Sequence, residues 1–375
     1  MSFTLYEDLA GYEEAVRNRI INCIENVGGG QNRVYLYGYG MMGRFVYEQL
    51  KNRMIIQGYI DGDKDKQGRI VEGNVRIYSL EEVAVESIII IASLAGWHEI
   101  FHKCLNLGYV HCCHYEELAF YDHTLPHWEQ AFDGMAESVL KNKQEYDKIY
   151  HLLGDARSKD VFKNVLYFRL TMDLKYSEKA HYISIQNGEK PYFDSDIVYT
   201  SEEEVFVDCG GFQGETTEDF IEYVSGKYKK VYCFEPDRQL AEIARNKFTE
   251  EQNRVEILPY GVGKEEDVLS YRAVGNGSGN FADDGTERIR VVKIDDIVKE
   301  KATYIKMDIE GMEEDALAGA QETIENIKPK LAISAYHKCD DIFRITEEIL
   351  SYRQDYRIYM RHYGPHCSDT ILYFI

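Results

Sequence analysis

The sequence predicts an α/β protein built from two doubly wound, Rossmann-like parts, a smaller one first and a seven-stranded one at the C-terminus. Three observations predict it. Short apolar runs alternate with helix-like stretches in both halves, the pattern of βαβ units around a mostly parallel sheet. Each half opens with a strand that runs into glycines, at Gly38-Tyr39-Gly40-Met41-Met42-Gly43 and at Gly210-Gly211-Phe212-Gln213-Gly214. Between the halves, residues 127–174 show helical spacing and no strand signal.

The elements follow in order. Residues 33–39 read as a strand, 43–52 as a helix and 54–61 as a second strand that ends in Asp61. Residues 87–93 hold four successive isoleucines and read as a buried strand. Ala136, Val139 and Leu140, then Val161, Val165, Leu166 and Phe168, recur at helical intervals, with a break near Gly154. Residues 187–204 read as a loop or short hairpin. Seven strands are then expected at 205–209, 230–235, 255–259, 303–308, 330–335, 355–361 and 369–375. Helices are expected at 215–225, 237–248, 312–326 and 340–351, and extra strands at 267–273 and 289–293 flank the glycine loop 275–279. The domain boundaries expected are 1–122, a helical connector at 123–186, and 187–375.

Composition narrows the function. The 375 residues carry a formal charge of -22, which repels phosphate backbones and argues against nucleic acid as a partner. No apolar run reaches the ~20 residues that span a bilayer. The first residues lack the apolar core of a signal peptide, so the cytoplasm is expected. The eight cysteines are scattered and read as free thiols. His111-Cys112-Cys113-His114 is no metal site, because adjacent residues of an extended chain face opposite ways.

Chemistry is written at strand ends. Glycines at 210, 211 and 214 let the chain turn tightly and let a ligand approach the backbone. Asp208 precedes them, and an acid there disfavours an anionic pyrophosphate and favours a cationic sulfonium, that of S-adenosylmethionine. Glu235 ends the next strand, in Cys233-Phe234-Glu235-Pro236-Asp237, where an acid can accept from both hydroxyls of a ribose. Tyr304-Ile305-Lys306-Met307-Asp308-Ile309-Glu310-Gly311 ends the fourth strand, with Lys306 and Asp308 on one face. A Lys306–Asp308 ion pair is the plain structural reading. The functional one turns Asp308 towards the cofactor and the acceptor.

Five segments in order, VFVDCGGFQGETTEDFI, YCFEPD, VEILPYGVGKEE, YIKMDIEGMEEDALAGAQETI and PKLAISAYHK, resemble the FkbM-type methyltransferase family over about residues 155–375. The resemblance implies a seven-stranded sheet that binds S-adenosyl-L-methionine and O-methyl transfer to a hydroxyl of a sugar, glycan or related small molecule. The residues expected around the cofactor are Asp208, Gly210, Gly211, Phe212, Gly214, Thr216, Glu235, Pro236, Gly261 and Asp308. His337 is the first candidate for a general base, with Asp308 as its orienting group or as the base itself, and Lys306 is a candidate to stabilise an alkoxide. A divalent metal on Asp308, Glu310 and His337 ranks below these readings.

In the first half, Gly38, Gly40, Gly43 and Asp61 form a G-x-G-x-x-G with an acid at the end of the next strand, a site for a nucleotide. RVYLYGYGMMGRFVYEQL followed by GYIDGDKDKQG resembles the small Rossmann-like domain that precedes some sugar acyltransferases, which implies a nucleotide-sugar. Two other functions stay open on sequence: an NAD(P)-dependent oxidoreductase centred on this half, and a non-catalytic nucleotide-sugar-binding protein.

Overall fold

The structure, a computed structural model, describes residues 33–94, 96–128, 132–273, 279–282, 285–365 and 368–375. The N-terminal stretch and residues 275–278 of the glycine loop lie outside the described residues. The chain divides into two compact units, residues 1–136 with 166–176 and residues 137–165 with 177–375. The helical stretch between the halves therefore contributes to both units.

The smaller unit holds a six-stranded sheet: β1 (Val34–Tyr37), β2 (Ile56–Ile60), β3 (Ile70–Val71), β4 (Val75–Tyr78), β5 (Ile88–Ile91) and β6 (Cys112–His114). Their order is β3-β4-β2-β1-β5-β6, parallel except for the β3–β4 pair. Every residue of β1 and β5 is buried, as befits central parallel strands covered on both faces. The sheet has more strands than its sequence advertised. β3 has two residues, and β6 is a three-residue run of Cys and His, too short for any periodicity. The helix begins at Met41, before Gly43. Gly43 lies inside it because the helix packs on the preceding turn: a Cβ there would stand 2.0 Å from the Gly38 carbonyl oxygen.

The larger unit contains β7 (Val205–Cys209), β8 (Lys230–Phe234), β9 (Val255–Leu258), β10 (Gly261–Val262), β11 (Asp267–Arg272), β12 (Asn280–Phe281), β13 (Glu287–Val292), β14 (Tyr304–Met307), β15 (Lys330–Ser334), β16 (Ile358–His362) and β17 (Thr370–Phe374). The seven principal strands run β16-β17-β15-β14-β7-β8-β9, with β17 antiparallel to both neighbours. β7 pairs with β8 on one side and with β14 on the other. The chain thus leaves β7 in one direction and returns at β14 to build in the other. That reversal opens a crevice beyond the carboxyl ends of β7 and β14, where open α/β sheets bind ligands. Beside it, β10-β13-β11-β12 form a second, four-stranded sheet.

The helix expected over 312–326 is two, Glu313–Ala318 and Gln321–Ile327. Gly319 marks the break, where a Cβ would meet the Gly263 carbonyl oxygen at 2.0 Å. The glycine and the close backbone approach it permits interrupt the helix there.

Arg361 on β16 is fully buried. Its guanidinium donates to Asp194 (2.8 Å), Asp155 (3.0 Å) and the Ser158 hydroxyl (2.8 Å). It ties the start of the helix Ala156–Thr171 and the loop at 194 to the sheet edge. Arg361→Met leaves the buried Asp194 carboxylate without its cation. Urea denaturation is expected to show a loss of about 3–5 kcal/mol, the usual cost of breaking a buried pair from one side.

Candidate active site

β7 ends in Asp208 and Cys209, and the next residue, Gly210, adopts φ +85°. A Cβ at Gly210 would stand 1.9 Å from the Asp308 carbonyl oxygen, and one at Gly211 would stand 2.1 Å from Cys233 Sγ. No other residue type lets the turn pass between β8 and β14. The turn closes at Gly214 (φ +82°), which precedes the helix Glu215–Tyr223 without a side-chain cap.

The structure corrects the role expected of Asp208. The acid is fully buried behind the turn. One oxygen accepts from Thr217 Oγ1 at 2.8 Å, and the other lies 3.1 Å from Lys306 Nζ. Its charge is met inside the protein and does not face a ligand. Lys306 is corrected with it. Its ammonium, 1% exposed, donates to the carbonyls of Gly210 (2.7 Å) and Cys209 (3.2 Å), so it holds the turn from below and does not reach an alkoxide. Its ion pair is with Asp208, its in-register neighbour on β7, and not with Asp308. Burial would strip the Lys306 proton, but the Asp208 and Asp308 carboxylates outweigh it and raise the pKa above the usual lysine value.

The crevice over the turn is lined by Gly210, Glu235, Pro236, Gly261 and Asp308 among the expected residues. Tyr260, Tyr271, Asn280, Phe281, Glu310 and Met312 also line it. The aromatic pair Tyr271–Phe281 meets edge to face at 5.2 Å, on β11 and β12. Gly211, Phe212, Gly214 and Thr216 shape the turn and the helix start and stand outside that lining. Thr217, not Thr216, is the threonine that bonds Asp208.

Glu235 accepts from the Phe212 amide (2.8 Å) with one oxygen and from the Asp237 amide (2.8 Å) with the other. Each oxygen keeps a lone pair for the crevice. Burial pushes its carboxyl up to about 7, against the pull of those two amides. Asp237 in turn caps the helix Arg238–Lys247 through the amides of Gln239 and Leu240.

Asp308 stands on the other wall, its side chain 28% exposed. Its oxygens accept from the hydroxyls of Tyr192 (2.9 Å) and Tyr336 (3.0 Å). Burial would raise its pKa, but the Lys306 and His337 cations and the Tyr192 and Ser334 hydroxyls hold it below the ordinary carboxylate range. His337 is enclosed by acids: Nδ1 lies 2.9 Å from Glu313, and Nε2 lies 3.4 Å from Asp308 and 3.8 Å from Glu310. Burial favours the neutral ring, yet Glu313, Asp308 and Glu310 prevail and push the pKa up to about 10. At neutral pH the ring is an imidazolium with no lone pair to offer, so His337 does not fit the general base expected of it.

The smaller unit repeats the turn with a different outcome. Gly38 adopts φ +118°, and Asp61 accepts from the Tyr39 amide (3.0 Å), the Asp63 amide (2.9 Å) and Lys66 Nζ (3.0 Å). Gly40 precedes the helix Met41–Leu50 with open space where a Cβ would be. The strand Cys112–His114 is buried throughout, and His114 Nε2 meets the Ser93 carbonyl at 3.1 Å.

Residues 208–364 match the methyltransferase FkbM domain. The match spans the glycine turn, Glu235, Asp308 and His337. Among solved structures, the methyltransferase FkbM from Methylobacillus flagellatus KT is similar in fold, with a TM-score of 0.74 and 24% identity over 97% of this chain and 100% of that one. A SAM-dependent methyltransferase from Aquifex aeolicus has a TM-score of 0.29 and 13% identity, over 54% of this chain and 97% of that one. An rRNA methylase from Streptococcus thermophilus has a TM-score of 0.30 and 17% identity, over 46% of this chain and 86% of that one. These last two superpose too loosely to inform function. No curated protein matches the chain in sequence. Among the described residues, no helix is long and apolar enough to cross a membrane.

The raised pKa of Glu235 makes a signed prediction for the larger unit. A carboxyl that binds its proton more tightly when folded contributes stability that is fully present below the ordinary value of 4.5 and lost as pH rises through about 7. Glu235→Gln removes that dependence. Wild-type stability relative to Glu235→Gln is expected to fall between pH 4.5 and 7, by up to about 3 kcal/mol, in urea titrations run at several pH values.

Proposed function

We propose that the chain is an S-adenosylmethionine-dependent methyltransferase that acts on a hydroxyl of a sugar, glycan or related small molecule. The observation that carries the reading is the pairing of the Gly210 turn with Glu235 and Asp308 on opposite walls of one crevice. The residues fit the cofactor. The Gly210–Gly214 turn is a cradle that side chains would fill. Glu235 keeps lone pairs for two ribose hydroxyls, and Tyr260, Tyr271 and Phe281 offer flat apolar faces.

When bound, the cofactor supplies a methyl group on a sulfonium, with its own leaving group. The chain's task is to bind, align and accept a proton. Asp308 is the acidic acceptor that lines the crevice, fixed from behind by Tyr192 and Tyr336. It accepts the hydrogen bond of the incoming hydroxyl and takes its proton as the new oxygen–carbon bond forms. The His337 imidazolium, held by Glu313, keeps Asp308 ionised for that purpose. The acid of the smaller unit that corresponds to Glu235, Asp61, is committed to Lys66 as well as two amides, which favours the C-terminal turn over the N-terminal one as the cofactor site.

Calorimetric titration separates this reading from an NAD(P)-dependent oxidoreductase. S-Adenosylhomocysteine is expected to bind, and Glu235→Ala to weaken it by about 1–3 kcal/mol through lost hydrogen bonds. Binding of NADH with no binding of S-adenosylhomocysteine would overturn the proposal. In a methyl-donor assay across sugars, nucleotide-sugars and glycans, read by mass spectrometry, Asp308→Asn is expected to lower kcat by roughly 10²–10⁴-fold. An unchanged kcat would remove Asp308 from the proton's path.

A further inference from the structure

We propose that Asp308, Glu313 and His337 form a binding site for a divalent transition-metal cation at the acceptor end of the crevice. The inference rests on the methyltransferase reading of that crevice for its purpose, and on side-chain geometry for its existence. Each of the three residues offers one ligand atom, and these atoms all lie within 4.8 Å of one another. They come from three fixed places. Asp308 follows β14, His337 follows β15, and Glu313 opens the helix Glu313–Ala318.

Glu313 is the member that local sequence does not explain. Its side chain is 1% exposed. Oε1 accepts from the Ile309 amide at 2.9 Å, which braces the turn in which Glu310 adopts φ +55° and Gly311 φ +92°. Oε2 is fully buried and has no hydrogen-bond partner. An ionised oxygen withdrawn from water without a donor is costly, and a cation beside it removes the cost. The charges point the same way. One imidazole ring lies between the carboxylates of Asp308 and Glu313, and the nearby Lys306 ammonium is already paired with Asp208.

The donor set selects the class of ion. An imidazole with carboxylates suits Mn²⁺, Fe²⁺ or Zn²⁺. Three protein ligands leave positions open, as catalytic sites require. Asp308 lines the crevice, so a cation held by these residues would be reached from it. The cation takes the place of the imidazolium proton, which passes to solvent. An acceptor hydroxyl bound to it would lose its proton more readily, and that proton would pass to Asp308 as in the reading above.

The test is calorimetric titration of the full-length protein with MnCl₂, with S-adenosylhomocysteine titrated in parallel. One Mn²⁺ is expected per chain. Glu313→Gln is expected to weaken Mn²⁺ by at least about tenfold and to leave S-adenosylhomocysteine affinity in place. His337→Gln serves as the second variant if Glu313→Gln does not fold, with the same loss expected. Wild-type protein that binds S-adenosylhomocysteine but no Mn²⁺ up to millimolar concentration would overturn this site alone. Mn²⁺ binding undiminished in the variant that folds would overturn it too. Failure to bind S-adenosylhomocysteine would sink the methyltransferase reading instead.

Discussion

The buried ion pair between Lys306 and Asp208 is the constraint on which the site depends. It joins β14 to β7 across the point where the sheet reverses direction. Two charges withdrawn from water are costly, and such a pair persists where further hydrogen bonds complete it. Here Thr217 completes Asp208, and the carbonyls of Cys209 and Gly210 complete Lys306. Those carbonyls belong to the glycine turn itself. The pair therefore fixes the floor of the crevice, and the approach of Gly210 to the Asp308 backbone follows from it.

From that floor, the two walls take opposite electrostatic characters. Glu235 is an acid that burial drives towards neutrality, moderated by two amides. Asp308, despite its surroundings, is kept ionised by cations and hydroxyls. Two carboxyl groups in one crevice are thus shifted in opposite directions. The smaller unit shows how much this depends on the second strand's acid. Its Asp61 accepts from the amide after the first glycine, as Glu235 does from the amide after the second, but Lys66 also pairs with Asp61.

The strand framework was legible because buried parallel strands leave short apolar runs between helices, and all seven principal strands lie where those runs fall. The glycines at 210, 211 and 214 were legible as a turn, and Glu235 as a strand-end acid on the crevice. Partners were not. Period two placed Lys306 and Asp308 together, yet register with β7 gave Lys306 to Asp208. Tyr192, 116 residues from the Asp308 it holds, sits in a stretch read only as a loop. Glu313 was one acid among several at a helix start, where acids are common for the helix dipole alone. Tyr271 and Phe281 were placed on or beside an accessory strand, and nothing local turned that sheet towards the crevice.

The sequence by itself determined the α/β class, the position of the glycine turn and the acids at the strand ends, because each of these is set by backbone conformation and apolar periodicity within a few residues. The tertiary structure decided what those acids do. Asp208 became an internal counter-ion, His337 came to stand between the carboxylates of Asp308 and Glu313, and Asp308 came to line the crevice. Charge state depends on burial and on neighbours that are distant in the chain, and no local pattern carries that information.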